Sequence, residues 1–247
     1  MNASDPVVEY TAIESQLKTG DIFTFNGDDA LDFMIELIEE GKPYSHVGMV
    51  LRFPDKDKGE LFFWDAPGDG KTFTGPFISL LTPDAGPGCR VAKIRDVMSF
   101  YMSVFPKQQF SWRSLESGVD DDQYKKLIAF IQKVNGTGFP SAKIPNIPRL
   151  VNLALGMLKS YVKGTLGVLV EGSYYCAQLI ADTYIHMGLI NTAGSRNAGI
   201  PNAYVPADFD STDPEQLPLT TKTCLGDVVL VHYDAVIDVG PPPSSGH

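Results

Sequence analysis

Two strand-like segments separated by a short polar turn constrain this chain more than any other feature. Residues 45–53, SHVGMVLRF, and 60–66, ELFFWDA, are rich in β-branched and aromatic residues, and the intervening PDKDKG is typical of a turn. Strands with so short a connection pair antiparallel, because a parallel pair needs a long crossover. The chain is therefore predicted to build a sheet around this hairpin.

Hydrophobic periodicity predicts further strands and helices on both sides of the hairpin. The predicted strands are 17–25, 89–97 and 224–237, and the predicted helices are 28–41, 120–134 and 173–190, with one or two short helices at 149–170. Neither an internal repeat nor a clean linker is visible, so residues 1–240 are predicted to form a single α+β domain with a mostly antiparallel sheet. Residues 140–170 are a possible helical lid or insertion, and residues 241–247, PPPSSGH, read as a disordered tail.

The charge and hydropathy of the chain exclude several classes of function. Of its 247 residues, 43% are hydrophobic and 20% are charged, and the formal net charge is −10. A nucleic-acid-binding protein needs a basic surface, so we expect no nucleic-acid partner. Residues 1–20 lack the apolar core of a secretory signal, which predicts a cytoplasmic protein. Lys159 and Lys163 interrupt the apolar segment 150–170, so we expect no transmembrane segment, while transient membrane contact stays open.

The chain has three cysteines, and one of them opens a predicted helix. An odd count without metal-ligand spacing argues against a disulfide framework or a zinc site, so neither metal nor cofactor is expected. Cys176 follows EGSYY at the start of the helix predicted for 173–190. The macrodipole and free N–H groups of a helix N-terminus favour a thiolate and can donate to an oxyanion. Cys176 is therefore the candidate nucleophile, whereas Cys89 and Cys224 open strands and are predicted to be inert.

A histidine and an acid on the hairpin complete a candidate catalytic set. His46 lies on the first strand, on the same face as Gly48 and Val50, and Gly48 is predicted to leave room beside the imidazole. Asp65 lies on the second strand, where its carboxylate can accept a hydrogen bond from the imidazole and fix its tautomer. The set Cys176, His46 and Asp65 has the roles of nucleophile, base and orienting acid.

Each of these residues also has an ordinary structural interpretation. A cysteine at a helix start is commonly an inert small hydrophobe, a strand histidine is commonly a satisfied core group, and an acid at a strand end is commonly solvated. The other histidines have structural explanations, since His186 suits a helix C-terminus and His232 lies in the last strand. The acidic run 120–122 is explained by a helix N-terminus.

Four motifs taken in order resemble a known family of hydrolases. TGDIFTF, YSHVGMVL, LFFWDAPG and YYCAQLIADTYIHMG are similar to the circularly permuted NlpC-like papain-fold cysteine hydrolases, and among them to the YiiX-like permuted amidases. The lecithin–retinol acyltransferase group is a more distant resemblance. The motifs span residues 17–232, and in this branch the histidine strand precedes the cysteine helix.

The resemblance implies a fold and a set of roles for this chain. It implies a permuted papain-like fold, a mostly antiparallel sheet or half-barrel packed against helices, with the nucleophile at a helix N-terminus. It assigns the nucleophile to Cys176, the base to His46 and the third polar residue to Asp65, where many relatives have glutamate. Tyr175 matches an aromatic that lines the site in relatives, and Ser45 is a second substrate-binding candidate.

The predicted reaction is hydrolysis of an amide or ester bond through an acyl-enzyme, with a small molecule, a peptide or a lipid amide as the substrate. An amidase or peptidase is the first hypothesis. A lipid-directed acyltransferase or thioesterase is the second, because the apolar segment 149–170 precedes the nucleophile. An inactive binding module that keeps the fold is the third.

Overall fold

The computed structural model describes residues 7–26, 44–53, 59–67, 88–104, 108–140, 149–167, 172–193 and 199–234. The described strands are β1 (Val7–Glu9), β2 (Ile22–Asn26), β3 (His46–Leu51), β4 (Phe62–Asp65), β5 (Arg90–Lys93), β6 (Gln109–Arg113) and β7 (Val229–His232). The described helices are α1 (Tyr10–Ile13), α2 (Ile94–Val104), α3 (Asp121–Val134), α4 (Arg149–Thr165), α5 (Cys176–Met187), a 3₁₀ helix (Pro201–Ala203) and α6 (Pro206–Asp210).

The seven strands form one sheet in the order β1-β7-β6-β2-β3-β4-β5. Only the pair β1–β7 is parallel, and the other five pairs are antiparallel. The hairpin predicted from residues 45–66 is present as β3–β4, and β2 pairs with the other side of β3. The prediction of an α+β fold, with a mostly antiparallel sheet packed against helices, is confirmed.

The two faces of the sheet carry different helices because successive strand residues point to opposite sides. On one face, Val47 and Met49 of β3 join a buried cluster with residues of α3 and α5. On the other face, Val50 joins a second cluster with residues of α1 and α2. Burial of these apolar faces is the main stabilising contribution in such a domain.

Helix α5 is anchored to the sheet by polar contacts along its length. The indole Nε1 of Trp64 on β4 donates to Thr183 Oγ1 at 3.0 Å, and the Tyr184 hydroxyl donates to the carbonyl of Gly20 at 2.5 Å. All four residues are buried. The helix ends at Gly188, whose left-handed backbone (φ 77°) suits glycine. The predicted helix over 173–190 is therefore present, with its first turn at Cys176.

Several local predictions differ from the structure. Residues 89–97 were predicted as one strand, but the chain turns from β5 into helix α2 at Ile94. Strands β1 and β6 and helix α6 fall in segments for which no strand or helix was predicted. The helix predicted for 28–41 and the tail 241–247 lie outside the described residues, and the domain boundaries stay predictions. No helix among the described residues is long and apolar enough to cross a membrane.

Candidate active site

Helix α5 brings Cys176 to one end of the sheet. The N-cap residue Tyr175 has an extended backbone and makes no side-chain capping hydrogen bond, so its own side chain does not occupy the donors of the first turn. The Cys176 side chain is buried, with the residue 2% exposed. The thiol therefore lies inside the protein, at the positive end of a helix of 12 residues.

His46 and Asp65 lie at the same end of the sheet. His46 is the first residue of β3 and Asp65 is the last residue of β4, and the two strands run antiparallel. The imidazole Nε2 is 3.0 Å from Asp65 Oδ2, with both groups buried. An ionised carboxylate only accepts, so Nε2 carries the proton in this bond. The other ring nitrogen, Nδ1, is left to face a different partner.

Arg90, on the neighbouring strand β5, is a further charged residue of this site, and it was not predicted from the sequence. Its Nε donates to Asp65 Oδ1 at 2.9 Å and its Nη2 donates to Asp65 Oδ2 at 3.2 Å. Arg90 is directly opposite Asp65 in the β4–β5 register. The sequence signal is an arginine that opens the strand RVAK, and it becomes informative only once the strand order is known.

The charges of this set shift its pKa values in opposite directions. Burial favours neutral forms, yet the charge of Arg90 and the hydrogen bond from His46 hold the pKa of Asp65 below its usual range. Burial also opposes the imidazolium, but hydrogen bonds to Asp65 and to Cys176, and the charges of both, raise the pKa of His46 to about 9. Cys176 is thus one of the groups that raise the pKa of His46, and the catalytic roles of Cys176, His46 and Asp65 stay predictions.

Aromatic rings fix the orientation of the imidazole. The Tyr101 ring stacks on His46 at a centroid distance of 5.5 Å, and the Phe25 ring meets it edge-on at 5.1 Å. The space at Gly48 is used differently from the prediction, because a Cβ there would lie 2.3 Å from the Phe63 ring. Glycine thus admits Phe63 of β4 rather than leaving room beside the imidazole.

The two predicted substrate-binding residues have structural partners. The Tyr175 hydroxyl lies 2.8 Å from the carbonyls of both Asn202 and Tyr204, and the residue is 1% exposed. The Ser45 hydroxyl is 3.3 Å from the carbonyl of Phe25. Their substrate-binding roles stay predictions, and Tyr175 clearly fastens the start of α5 to the 3₁₀ helix.

The remaining cysteines differ sharply in exposure. Cys89 is buried, and burial raises the pKa of its thiol. Cys224 is exposed, and its hydrogen bond to Glu116 raises the pKa of its thiol. These two thiols provide internal references for Cys176.

Other polar groups in the described chain lie apart from this site. His186 contacts the Asp182 carbonyl through Nδ1 at 2.9 Å near the end of α5. His232, Glu9 and Asp234 form an exposed group whose atoms could approach a metal ion, but His232 Nδ1 already contacts Glu9 at 3.1 Å, which explains the group as an ion pair between β1 and β7. Two surface cavities formed by described residues, of about 420 and 280 Å³, contain none of the three predicted catalytic residues.

Comparison with known proteins finds similarity among solved structures. No protein-family model matches the chain, and no curated protein sequence matches it. Among solved structures, the chain is similar to the metalloprotein YiiX from Escherichia coli O157:H7, with a TM-score of 0.41 and 16% sequence identity. The match covers 68% of this chain and 65% of YiiX. The α+β class of this chain rests on the strand order described above.

Proposed function

We propose that this protein is a cysteine hydrolase that cleaves an amide or ester bond, with Cys176 as nucleophile and His46 as its acid–base partner. The observation that carries the proposal is the buried chain of charge from Arg90 through Asp65 to His46, which ends at Cys176. A thiol at a helix N-terminus beside an oriented imidazole is the arrangement that nucleophilic catalysis by cysteine requires.

Acylation follows from the positions of these groups. The Cys176 sulfur attacks the carbonyl carbon as the thiolate, with its proton held on Nδ1 in the imidazolium form of His46 that the raised pKa of His46 favours. The carbonyl oxygen gains the electron pair, and the backbone N–H of Cys176 at the uncapped helix start donates to it. When the C–N or C–O bond breaks, the imidazolium returns the proton to the departing amine or alcohol, and a thioester remains on Cys176.

Deacylation reverses the roles. His46 takes a proton from water, the resulting hydroxide adds to the thioester carbonyl, and the C–S bond breaks. The proton on His46 then returns to the sulfur, so the free acid leaves and the thiol is restored. Asp65 stays ionised throughout, because Arg90 and His46 hold its pKa low, and it keeps Nε2 protonated. Arg90 is a positioning residue, since it acts through Asp65.

The substrate we propose is a small-molecule, peptide or lipid amide, with an amidase or peptidase activity as the first choice. One observation favours a different class, the catalytically silent binding module. Cys176 belongs to the apolar cluster between the sheet and α5, and its residue is only 2% exposed. An inert cysteine in that position would pack in the same way, so a chemical test must decide.

Trapping of the acyl-enzyme tests the proposal. The protein would be mixed with p-nitrophenyl acetate, with peptide p-nitroanilides and with acyl lipids, quenched in acid and measured by intact mass and peptide mapping. We expect an acyl group on Cys176 in the wild type and none in Cys176→Ala or His46→Ala. Acylation confined to Cys224, or unchanged by His46→Ala, would leave the binding module as the better interpretation. Acylation from lipids alone would exclude the amidase and favour the acyltransferase or thioesterase.

A further inference from the structure

Helix α4 exposes a stripe of apolar side chains. Among the described residues, four large hydrophobic side chains are strongly exposed, and three of them are Leu158, Val162 and Leu166, at 36%, 46% and 74%. They recur every four residues, so they lie on one face of the helix. The hydrogen bond from the Leu166 amide to the Val162 carbonyl, at 3.1 Å, carries the helical spacing past Thr165. We name these three residues the apolar stripe.

The opposite face of α4 packs on the protein, which fixes the stripe towards solvent. Met157, Ser160 and Gly164 are buried. Gly164 approaches the 3₁₀ helix so closely that a Cβ would lie 2.2 Å from the carbonyl oxygen of Asn202. The helix therefore buries Ser160 and Gly164 beside Met157 and exposes three large apolar side chains, unlike an ordinary surface helix.

The charge of α4 is opposite to that of the whole chain. Its sequence, RLVNLALGMLKSYVKGT, contains three basic residues and no acid, whereas the chain carries a net charge of −10. Lys159 is exposed and Lys163 is half-buried, and each directly follows a residue of the apolar stripe. An apolar face bordered by lysines is the pattern of helices that lie in the interface of an anionic membrane.

We propose that the apolar stripe, with Lys159 and Lys163, is a docking surface for an anionic lipid bilayer. The three apolar side chains enter the boundary between headgroups and acyl chains, and the ammonium groups contact lipid phosphates. A lipid surface fits better than a second copy docked through the same face, because two copies would bring their lysines against each other whereas anionic lipids attract the lysines. Because the rest of the protein is acidic, anionic lipids repel it, and the contact with the bilayer is limited to this face of α4.

The docking surface is joined to the candidate active site by two hydrogen bonds. Asn202 Nδ2 donates to the Ser160 carbonyl of α4 at 2.9 Å, and the Tyr175 hydroxyl donates to the Asn202 carbonyl at 2.8 Å. Tyr175 immediately precedes Cys176. Helix α4 thus lies between a bound bilayer and the element that supports the nucleophile, and a lipid amide or ester as substrate is a consequence that rests on the proposed function.

Vesicle co-sedimentation tests the docking surface without any substrate. The full chain would be mixed with vesicles of phosphatidylcholine alone and with vesicles that also contain phosphatidylserine. We expect binding to the mixed vesicles that weakens as salt is added, because salt screens the lysine contacts. The double variant Val162→Ser/Leu166→Ser should lose at least about tenfold in partitioning, and each of Lys159→Gln and Lys163→Gln about fivefold.

Matched controls come from the same chain. Val7→Ser removes another strongly exposed apolar side chain, and Lys222→Gln removes an exposed lysine outside α4, so both should bind as the wild type does. Circular dichroism of each variant checks that the fold is intact, which is expected because the side chains of the stripe face solvent.

The outcomes separate the docking surface from the catalytic proposal. Absence of binding to the mixed vesicles, or equal loss in the controls, would overturn the docking surface. A concentration-dependent dimer that Val162→Ser/Leu166→Ser abolishes, without vesicle binding, would assign the stripe to a second copy instead. Cys176→Ala should bind vesicles as the wild type does, so failure of vesicle binding and failure of acyl-enzyme trapping are independent results.

Discussion

Three ionisable side chains are buried in a row at one end of the sheet, and each depends on its neighbour. Asp65 is fully buried and carries a charge because Arg90 contacts both of its oxygens. Asp65 and Cys176 in turn raise the pKa of His46, although burial alone would lower it. Removal of one member leaves an unpaired buried charge, which costs more than the pair contributes.

Replacement of Arg90 tests this dependence. Arg90→Gln is expected to lower the free energy of unfolding by about 3–5 kcal/mol, because the buried Asp65 loses the cation that contacts both of its oxygens. The double variant Arg90→Gln/Asp65→Asn also lacks the carboxylate charge. The free energy of unfolding that it loses should therefore be about 2 kcal/mol smaller than the sum of the losses in the two single variants. Urea unfolding of the four proteins measures the coupling, and simple additivity would contradict the buried pair.

The raised pKa of His46 makes stability depend on pH. The folded pKa of about 9 exceeds the ordinary value of 6.5, so the folded state binds the proton more tightly. The stabilisation is complete below pH 6.5 and is lost as pH rises through about 9, by at most about 3 kcal/mol. Urea unfolding across this range should show a steeper decline for the wild type than for His46→Gln, and equal slopes would show that His46 is not stabilised as an imidazolium.

At the scale of elements, the close contact between α4 and the 3₁₀ helix supports the start of α5. Gly164 of α4 touches the backbone at Asn202, and Asn202 holds the Tyr175 hydroxyl. The sequence predicted helices at 149–170 but not this contact, because a glycine inside a helix looks only like a weak helix former. Here glycine is needed because the absence of a Cβ lets the helix approach the backbone of Asn202.

A substitution at Gly164 gives a result opposite to helix propensity. In an exposed helix Gly→Ala stabilises by roughly 1 kcal/mol, but here the new Cβ would lie 2.2 Å from a backbone oxygen. Gly164→Ala is therefore expected to destabilise by about 1–3 kcal/mol. Thr165→Ala, at the exposed neighbouring position, is the control and should change stability little. Thermal unfolding compares them, and a stabilised Gly164→Ala would refute the contact.

Helices and strands with a clear hydrophobic periodicity could be predicted from the sequence. Those whose position depends on pairing with distant strands could not. The helix α3 begins with Asp120 and Gln123 in a capping box, and its apolar face is regular, so its bounds were predicted almost to the residue. In contrast, 89–97 alternates like a strand throughout, and only the register opposite β4 ends the strand at Lys93. Strand β6 owes its place to pairing with β2 and β7.

At the scale of the whole molecule, the fold explains how residues distant in sequence come together. Cys176 and His46 were named from their local contexts, and in the structure Cys176 is among the groups that raise the pKa of His46. Their catalytic roles stay predictions. Arg90 could not be named, since its partner is defined only by the order β3-β4-β5. The buried state of Cys176 was also beyond the sequence, because it depends on packing against the sheet.

The relative reactivity of the three thiols tests the central claim, that His46 activates Cys176. The folded protein would be treated with limiting iodoacetamide at neutral pH and mapped by mass spectrometry. Cys224 is exposed and Cys176 is 2% exposed, so access alone predicts that Cys224 reacts first. We predict that Cys176 is alkylated first and that His46→Ala reverses the order, although the truncation opens space beside the thiol. Prior alkylation of Cys224 in the wild type, or an unchanged Cys176 rate in His46→Ala, would contradict the claim.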